Sequence, residues 1–299
     1  MDKKYHQQVK LLLEVLPFVM KEDCFALKGG TALNLFMWDF PRLSVDIDLT
    51  YVPLDARDIA LKNIDNGLAN IKKNIEKARS DLKVQLKSKK LIINAKGVAP
   101  IKIEPNTILR GTLYPIVYKD LASKAEDEFN LSVLDVRMLS LADLYGGKIV
   151  AALDRQHPRD LFDVKMLFEH DGLTDDIRKA FLVYLISHER PMHEVLKPNL
   201  QNIDIIFERE FLGMTSEPIE LEVLIKTRES LIEQIHATLT QDEKEFLMSF
   251  KRGEPTWSLL GVTGVEALPA VQWKLKNIKT MTIERQDLML EKLENALSL

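Results

Sequence analysis

Apolar residues recur along this chain at two spacings, and the points where one spacing gives way to the other mark out its elements. Val9, Leu12, Leu13, Leu16 and Met20 fall three or four apart, so the first twenty residues read as a one-sided helix packed on a sheet. Residues 24–27 are apolar but too few for periodicity to choose between a short strand and the tail of that helix. Ala32, Leu33, Leu35 and Phe36 begin a second helical pattern directly after the turn-forming run Gly29, Gly30 and Thr31. Val45, Ile47 and Leu49 then alternate with Ser44, Asp46, Asp48 and Thr50, which places the two groups on opposite faces of one strand.

Farther along, Leu61, Ile64, Leu68, Ile71 and Ile75 predict an amphipathic helix over residues 58–78 with lysines on its other side. Residues 82–86, 91–93 and 101–104 read as three strands, and 131–136 as a further one. Ser140, with Asp143 three residues on, is a capping-box-like start for a helix over 141–153. Its stripe of Leu141, Leu144, Tyr145, Ile149 and Ala152 encloses Lys148, so that lysine is either paired with an anion or snorkels to water. Gly146 and Gly147 cost roughly 1 kcal/mol each in a helix interior, which points to a close approach by another element. Pro158 suits the first turn of the next helix, where Asp160 and Asp163 share a side near the positive end of its dipole, while His157 reads as a turn residue. Helical patterns follow over 177–187, 202–211, 218–239 and 241–251, with Pro191, Pro198 and Pro218 at connections and no repeat or low-complexity linker.

With 299 residues and 46% hydrophobic content, the chain can bury the core of two domains or of one large one. A net charge of −4 gives no global polyanion-binding field, yet ten Lys/Arg stand against three Asp/Glu between Lys62 and Lys96. That segment is either a solvated face or a landing strip for a polyanion, and no aromatic residue is interleaved to stack on bases. The single cysteine, Cys24, reads as a small core residue, and Trp257 and Trp273 read as core anchors. The first residues lack an apolar signal core, and no apolar run approaches the roughly eighteen residues of a membrane span, which fits a cytoplasmic location.

Two features carry chemistry. Gly29, Gly30 and Thr31 at a helix start form a phosphate seat, because free backbone N–H groups and the helix dipole favour an anion there. Asp46 and Asp48, one pleat apart on one face, repel each other unless a cation lies between them. Hard divalent cations take carboxylate and phosphate oxygens together, so the seat and the Asp-x-Asp strand read as one site.

Lys28-Gly29-Gly30-Thr31-Ala32-Leu33 together with Arg42-x-Ser44-x-Asp46-Ile47-Asp48-Leu49 resembles the nucleotidyltransferase toxins of the AbiEii/AbiGii abortive-infection family, within the polymerase-β-like superfamily. The broader superfamily has Gly-Ser where this chain has Gly30-Thr31, so a hydroxyl is kept. Asp143-Leu144-x-x-x-Lys148, then Arg159-Asp160-Leu161-x-Asp163, resembles the family's later motifs, and residues 250–257 and 268–274 resemble its C-terminal part.

The resemblance implies an α/β fold: a polymerase-β-like nucleotidyltransferase domain with a mixed sheet over residues 1–125, and a mainly α-helical domain completing the active site over 126–299. It implies an enzyme that uses a nucleoside triphosphate and Mg²⁺, or Mn²⁺, to transfer a nucleotide to an RNA acceptor, the family expectation being the 3′ end of transfer RNA. It also implies a place in a toxin–antitoxin or abortive-infection system of phage defence, with a cognate antitoxin and no membrane partner. Asp46 and Asp48 would hold metal, with Glu104 as a third carboxylate, and Gly29, Gly30, Thr31 and Ser44 would bind nucleotide. Lys148 would neutralise triphosphate charge, with Asp160 or Asp163 orienting a reacting group or fixing that lysine. Transfer to a protein hydroxyl, or a non-catalytic nucleotide- or RNA-binding module, are the alternatives.

Overall fold

The computed structural model describes residues 3–298, which fall into two compact units. The first comprises the chain up to Leu144 together with Leu212–Ile219; the second comprises Tyr145–Phe211 and Glu220 onward.

The first unit is built on a mixed sheet. Helix α1 (Lys3–Val19) buries Val9, Leu12, Leu13 and Leu16, the face read from its spacing, and Gln8 donates to the Pro100 carbonyl at 2.9 Å. Strand β1 (Phe25–Lys28) settles the ambiguous run as a strand, and α2 (Gly29–Ala32) follows without a connecting loop. Strand β2 (Asp46–Tyr51) comes next, then α3 (Arg57–Ala78), which buries Ile64, Leu68, Ile71 and Ile75. The chain continues through β3 (Lys83–Lys87), β4 (Lys90–Ala95), β5 (Val98–Asn106), β6 (Val117–Lys119), α4 (Ser123–Phe129) and β7 (Val136–Met138), and α5 (Leu141–Arg155) begins in this unit. The seven strands lie in the order β3-β4-β5-β2-β1-β7-β6. β2 is parallel to β5 and β1 is parallel to β7; the other neighbours are antiparallel.

The second unit is helical: α6 (Pro158–Glu169), α7 (Asp175–Ser187), α8 (Met192–Leu196), α9 (Asp204–Glu210), α10 (Leu221–Thr238), α11 (Gln241–Arg252), α12 (Pro269–Lys279) and α13 (Ile283–Leu297). Gly146 explains itself here, since a Cβ on it would lie 2.8 Å from the Ala180 backbone, so α5 and α7 touch along main chain. Among the described residues no helix is long and apolar enough to cross a membrane.

The structure corrects the sequence reading in several places. The helix expected after the glycines instead begins at Gly29 and is continued by a π turn over Leu33–Met37. Asn34 Nδ2 bonds the Gly30 carbonyl at 2.9 Å, taking the acceptor its own backbone N–H would use in a regular helix. The strand expected over 131–136 starts only at Val136, because Asn130 and Asp135 have φ of 49° and 57° and break the extended run. Trp257 does pack on Phe246 and Phe250, but Trp273 is 58% exposed on α12, with Lys276 over its ring at 5.9 Å. Cys24 is half-buried rather than in the core, and burial, with Glu22 nearby, pushes its thiol up to about 11.

Candidate active site

The sheet register decides what faces what. Lys28 lies opposite Asp48 on antiparallel β1, while on parallel β5 Lys102 lies opposite Asp46 and Glu104 opposite Asp48. Paired residues project to the same side, so Lys28, Asp46, Asp48, Lys102 and Glu104 share one face. Ile47 and Leu49, fully buried, hold the other. Asp46 and Asp48 are themselves half-buried.

The turn into α2 is built against this face. Gly29 has φ +74°, and a Cβ on it would lie 2.5 Å from Asp48 Oδ2, so only glycine lets the main chain come this close to that carboxylate. A Cβ on Gly30 would meet Arg42 Nη2 at 2.7 Å and Ser44 Oγ at 2.9 Å. Thr31 is fully buried, and its hydroxyl donates to the Asp46 carbonyl at 2.6 Å and sits 3.1 Å from Ser44 Oγ. The kept hydroxyl therefore ties the seat to β2 rather than pointing outward. Arg42, 2% exposed, donates to the Leu43 carbonyl at 2.8 Å. The strip 212–219 braces the approach to β2 from outside the local sequence: Leu43 N–H donates to Met214 O at 2.8 Å and Ser216 N–H to Pro41 O at 2.9 Å.

This donor set suits a hard divalent cation. It is all oxygen, and the close pass of Gly29 over Asp48 leaves the carboxylate beside a helix start where phosphate oxygens can be received. Among the described residues, no three His, Cys, Asp or Glu side chains gather as a ready ligand cluster. Glu104 is opposite Asp48 in register, but its Oε1 accepts from Lys90 Nζ at 3.0 Å. Two carboxylates with the rest of the shell left to water and substrate oxygens is how Mg²⁺ is commonly held. Gly29→Ala should cost about 1–2 kcal/mol from the left-handed backbone alone, and should displace the Asp48 carboxylate. We therefore expect a modest fall in Tm with a disproportionate loss of activity; a variant with wild-type activity would show that the close pass has no catalytic use.

The second unit holds a charge cluster with far less access to water. Lys148 Nζ lies 2.7 Å from Asp160 Oδ1 and 2.9 Å from Asp163 Oδ2, with side-chain exposures of 8%, 2% and 1% respectively. Arg155, largely exposed, adds bonds to Asp160 at 2.5 and 3.0 Å. Burial alone would raise the Asp160 carboxyl, but Lys148 and Arg155 outweigh it and hold the group well below the usual carboxylate range. Of the two open readings of Lys148, pairing is what the structure contains. Both aspartates serve as partners, since their spacing of three puts them on one side of α6.

Arg155, given no role from sequence, and His157 and Asp143, read there as turn and cap residues, complete the local structure. Arg155 belongs to the last turn of α5 and Asp160 to the first turn of α6, where a cation and a carboxylate each suit the dipole; that pattern could have flagged the pair. His157, read as a turn residue, is the N-cap of α6: its Nδ1 accepts from Arg159 N–H at 3.1 Å and its Nε2 meets Glu210 at 3.1 Å. Burial pushes the imidazole below its ordinary value, and a proton on Nδ1 would break the cap. Asp143, beyond its bond with Ser140, accepts from the backbone N–H groups of Leu113 and Tyr114 at 3.1 and 2.9 Å, pinning a loop of the first unit.

Residues 10–277 match the family model described as nucleotidyl transferase AbiEii toxin, type IV TA system. MenT4, a nucleotidyltransferase toxin from Mycobacterium tuberculosis H37Rv, is similar in fold, with a TM-score of 0.62 at 12% identity over 92% of this chain and 93% of that one. A comparison with curated protein sequences gives no match.

Proposed function

The chain belongs to the AbiEii family of nucleotidyltransferase toxins of type IV toxin–antitoxin systems, and from that premise we propose that it uses a nucleoside triphosphate and Mg²⁺ to place a nucleotide on an RNA acceptor, the 3′ end of transfer RNA. The family read from residues 28–33 and 42–49 is thus the one that the chain matches along most of its length. Nucleotidyl transfer is its activity class, and a cognate antitoxin goes with a type IV system.

The observation that carries the proposal is the pass of Gly29 over Asp48, with Asp46 on the same face of β2. Asp46 and Asp48 are the ligands we assign to the cation, which when bound would offset charge on the phosphates and polarise the phosphoryl group under attack. The backbone N–H groups at the start of α2 face the incoming phosphates, and Thr31 and Ser44 fix that start against β2. Glu104, Lys28 and Lys102 set the charge around the pair. For the second unit we propose that Lys148, its ammonium held in place by Asp160 and Asp163, has a role in nucleotide use. Phosphoryl transfer asks mostly for such positioning and charge.

The test is direct. Purified protein is incubated with each α-labelled triphosphate, Mg²⁺ or EDTA, and either total RNA or total cell protein. The proposal expects metal-dependent label on RNA of transfer-RNA size, lost when the acceptor's 3′ end is blocked. Label on protein alone would replace the acceptor, and no label with any triphosphate would overturn the proposed reaction.

A further inference from the structure

The second unit keeps another group of cations, gathered around a lysine that no carboxylate among the described residues pairs with. Lys251, in the last turn of α11, is 6% exposed, and no side chain among the described residues bonds or ion-pairs with its ammonium. Packing brings further positive charge around it. α13 lies against α11 and α8, and Gln286 fixes its first turns by donating to the carbonyls of Lys251 at 3.3 Å and Arg252 at 2.8 Å. That places exposed Arg285 within electrostatic reach of Lys251, with Lys292 farther along the same helix and acting on His193 of α8. Lys274 of α12, half-buried, donates to the carbonyls of His188 and, at 3.1 Å, Glu189 at the end of α7, also within reach of Lys251.

The carboxylates nearby are few. Glu194 is 3.9 Å from His193 Nε2, and Glu189 acts on Lys274; neither pairs with Lys251. Burial first, and mutual repulsion next, push Lys251 below its ordinary value and Lys274 down to about 8; His193 is also lowered, by burial first, with Glu194 pulling it up and Lys292 and Lys251 pushing it down. The Lys251 ammonium keeps contact with water at the end of a buried stem, and the same helices bring more cations to it instead of a carboxylate.

We propose that Lys251, with His193, Lys274 and Arg285, forms a binding site for a phosphate group. A phosphate supplies several acceptor oxygens and up to two negative charges, which suits an ammonium, an imidazolium and a guanidinium converging from separate helices. Arg285, exposed at the start of α13, gives the site its opening to solvent. The phosphate can be free or part of a nucleic-acid backbone, and the latter source alone rests on the RNA reading above.

The experiment follows the His193 imidazole by NMR in the full chain, its signal identified by His193→Gln, during titration with inorganic phosphate and separately with a single-stranded oligoribonucleotide, ionic strength being held constant with chloride. A saturable shift, a rise in the His193 pKa and a rise in Tm that grows with ligand concentration are expected with at least one of the two. Phosphate without RNA identifies a small-anion site, and RNA without phosphate identifies a backbone contact. Lys251→Met should weaken the affinity about tenfold or more, while its ligand-free Tm stays level or rises; Lys251→Gln should do the same. Asp46→Ala should leave the shift intact, separating this site from the transferase face. No saturable shift with either ligand, or unchanged affinity in both Lys251 variants, would overturn the proposal.

Discussion

Asp46→Ala is expected to lower nucleotide transfer at least about a thousandfold, several kcal/mol of transition-state stabilisation, while leaving the fold within about 1 kcal/mol of wild type. The two halves of this expectation have separate causes. Asp46 and Asp48 stand one pleat apart on β2, so deleting one removes half of the protein's carboxylate share of a divalent site and also relieves a like-charge repulsion. β2 is also held by contacts that do not use that carboxylate. Thr31 bonds the main-chain carbonyl of Asp46, and Ile47 and Leu49 anchor the opposite face, all of which survive in alanine. Thermal melting with and without Mg²⁺ plus triphosphate reads both halves at once: the wild type should gain stability on adding the pair, and the variant should not. An equal ligand-induced rise, or transfer at the wild-type rate, would remove Asp46 from the site.

The Asp-x-Asp face was legible because a strand with one apolar and one acidic side can be oriented only one way, and the same logic made α1, α3 and α5 readable from their stripes. Lys148 stood out for a related reason, being a charge inside an apolar stripe, but the stripe alone left pairing and snorkelling both open. Harder to read were features that depend on partners distant in sequence. Glu104 is in register with Asp48 as its strand position suggested, yet it bonds Lys90, a choice made by the β4–β5 pairing and invisible in either strand alone. The brace of Leu43 on Met214 joins residues that no local pattern relates. Short elements such as α4 and β6 offer too few residues for any period to register. The lysine-rich side of α3 also changes meaning in three dimensions. Lys72 is engaged by Glu76 and the Val84 carbonyl, Lys89 by Asp65, and Arg79 by Glu14 and Asp81, so part of the local positive charge is already answered.

Lys148→Met is expected to destabilise the protein by about 3–5 kcal/mol at neutral pH, the usual result of removing one partner from a buried ionic group. Methionine keeps the length and most of the apolar stem, so lost packing is a small part of that figure. The larger part is two carboxylates, each no more than 2% exposed, that lose their shared ammonium. Asp160 keeps its bonds to Arg155, and replacing either aspartate by asparagine in the Lys148→Met background should recover part of the lost stability. The pH dependence has a definite sign. In the wild type the Asp160 carboxyl is depressed, so its contribution is present above the unfolded value and is lost as pH falls through the lower folded value. In Lys148→Met the two buried carboxylates have lost their shared ammonium, so their charge costs the folded state more. Protonation then relieves the folded state, and the deficit should shrink as pH falls from 7 toward about 4–5. Urea denaturation of the variants at both pH values checks this. Transfer assayed at a temperature where Lys148→Met remains folded then separates the two uses of the residue. Lost stability with transfer intact would leave Lys148 as a strut of the helical unit alone, and loss of both would support its assignment to nucleotide use. A variant as stable as wild type at pH 7 would mean the buried pairing does not hold α5 and α6 as argued.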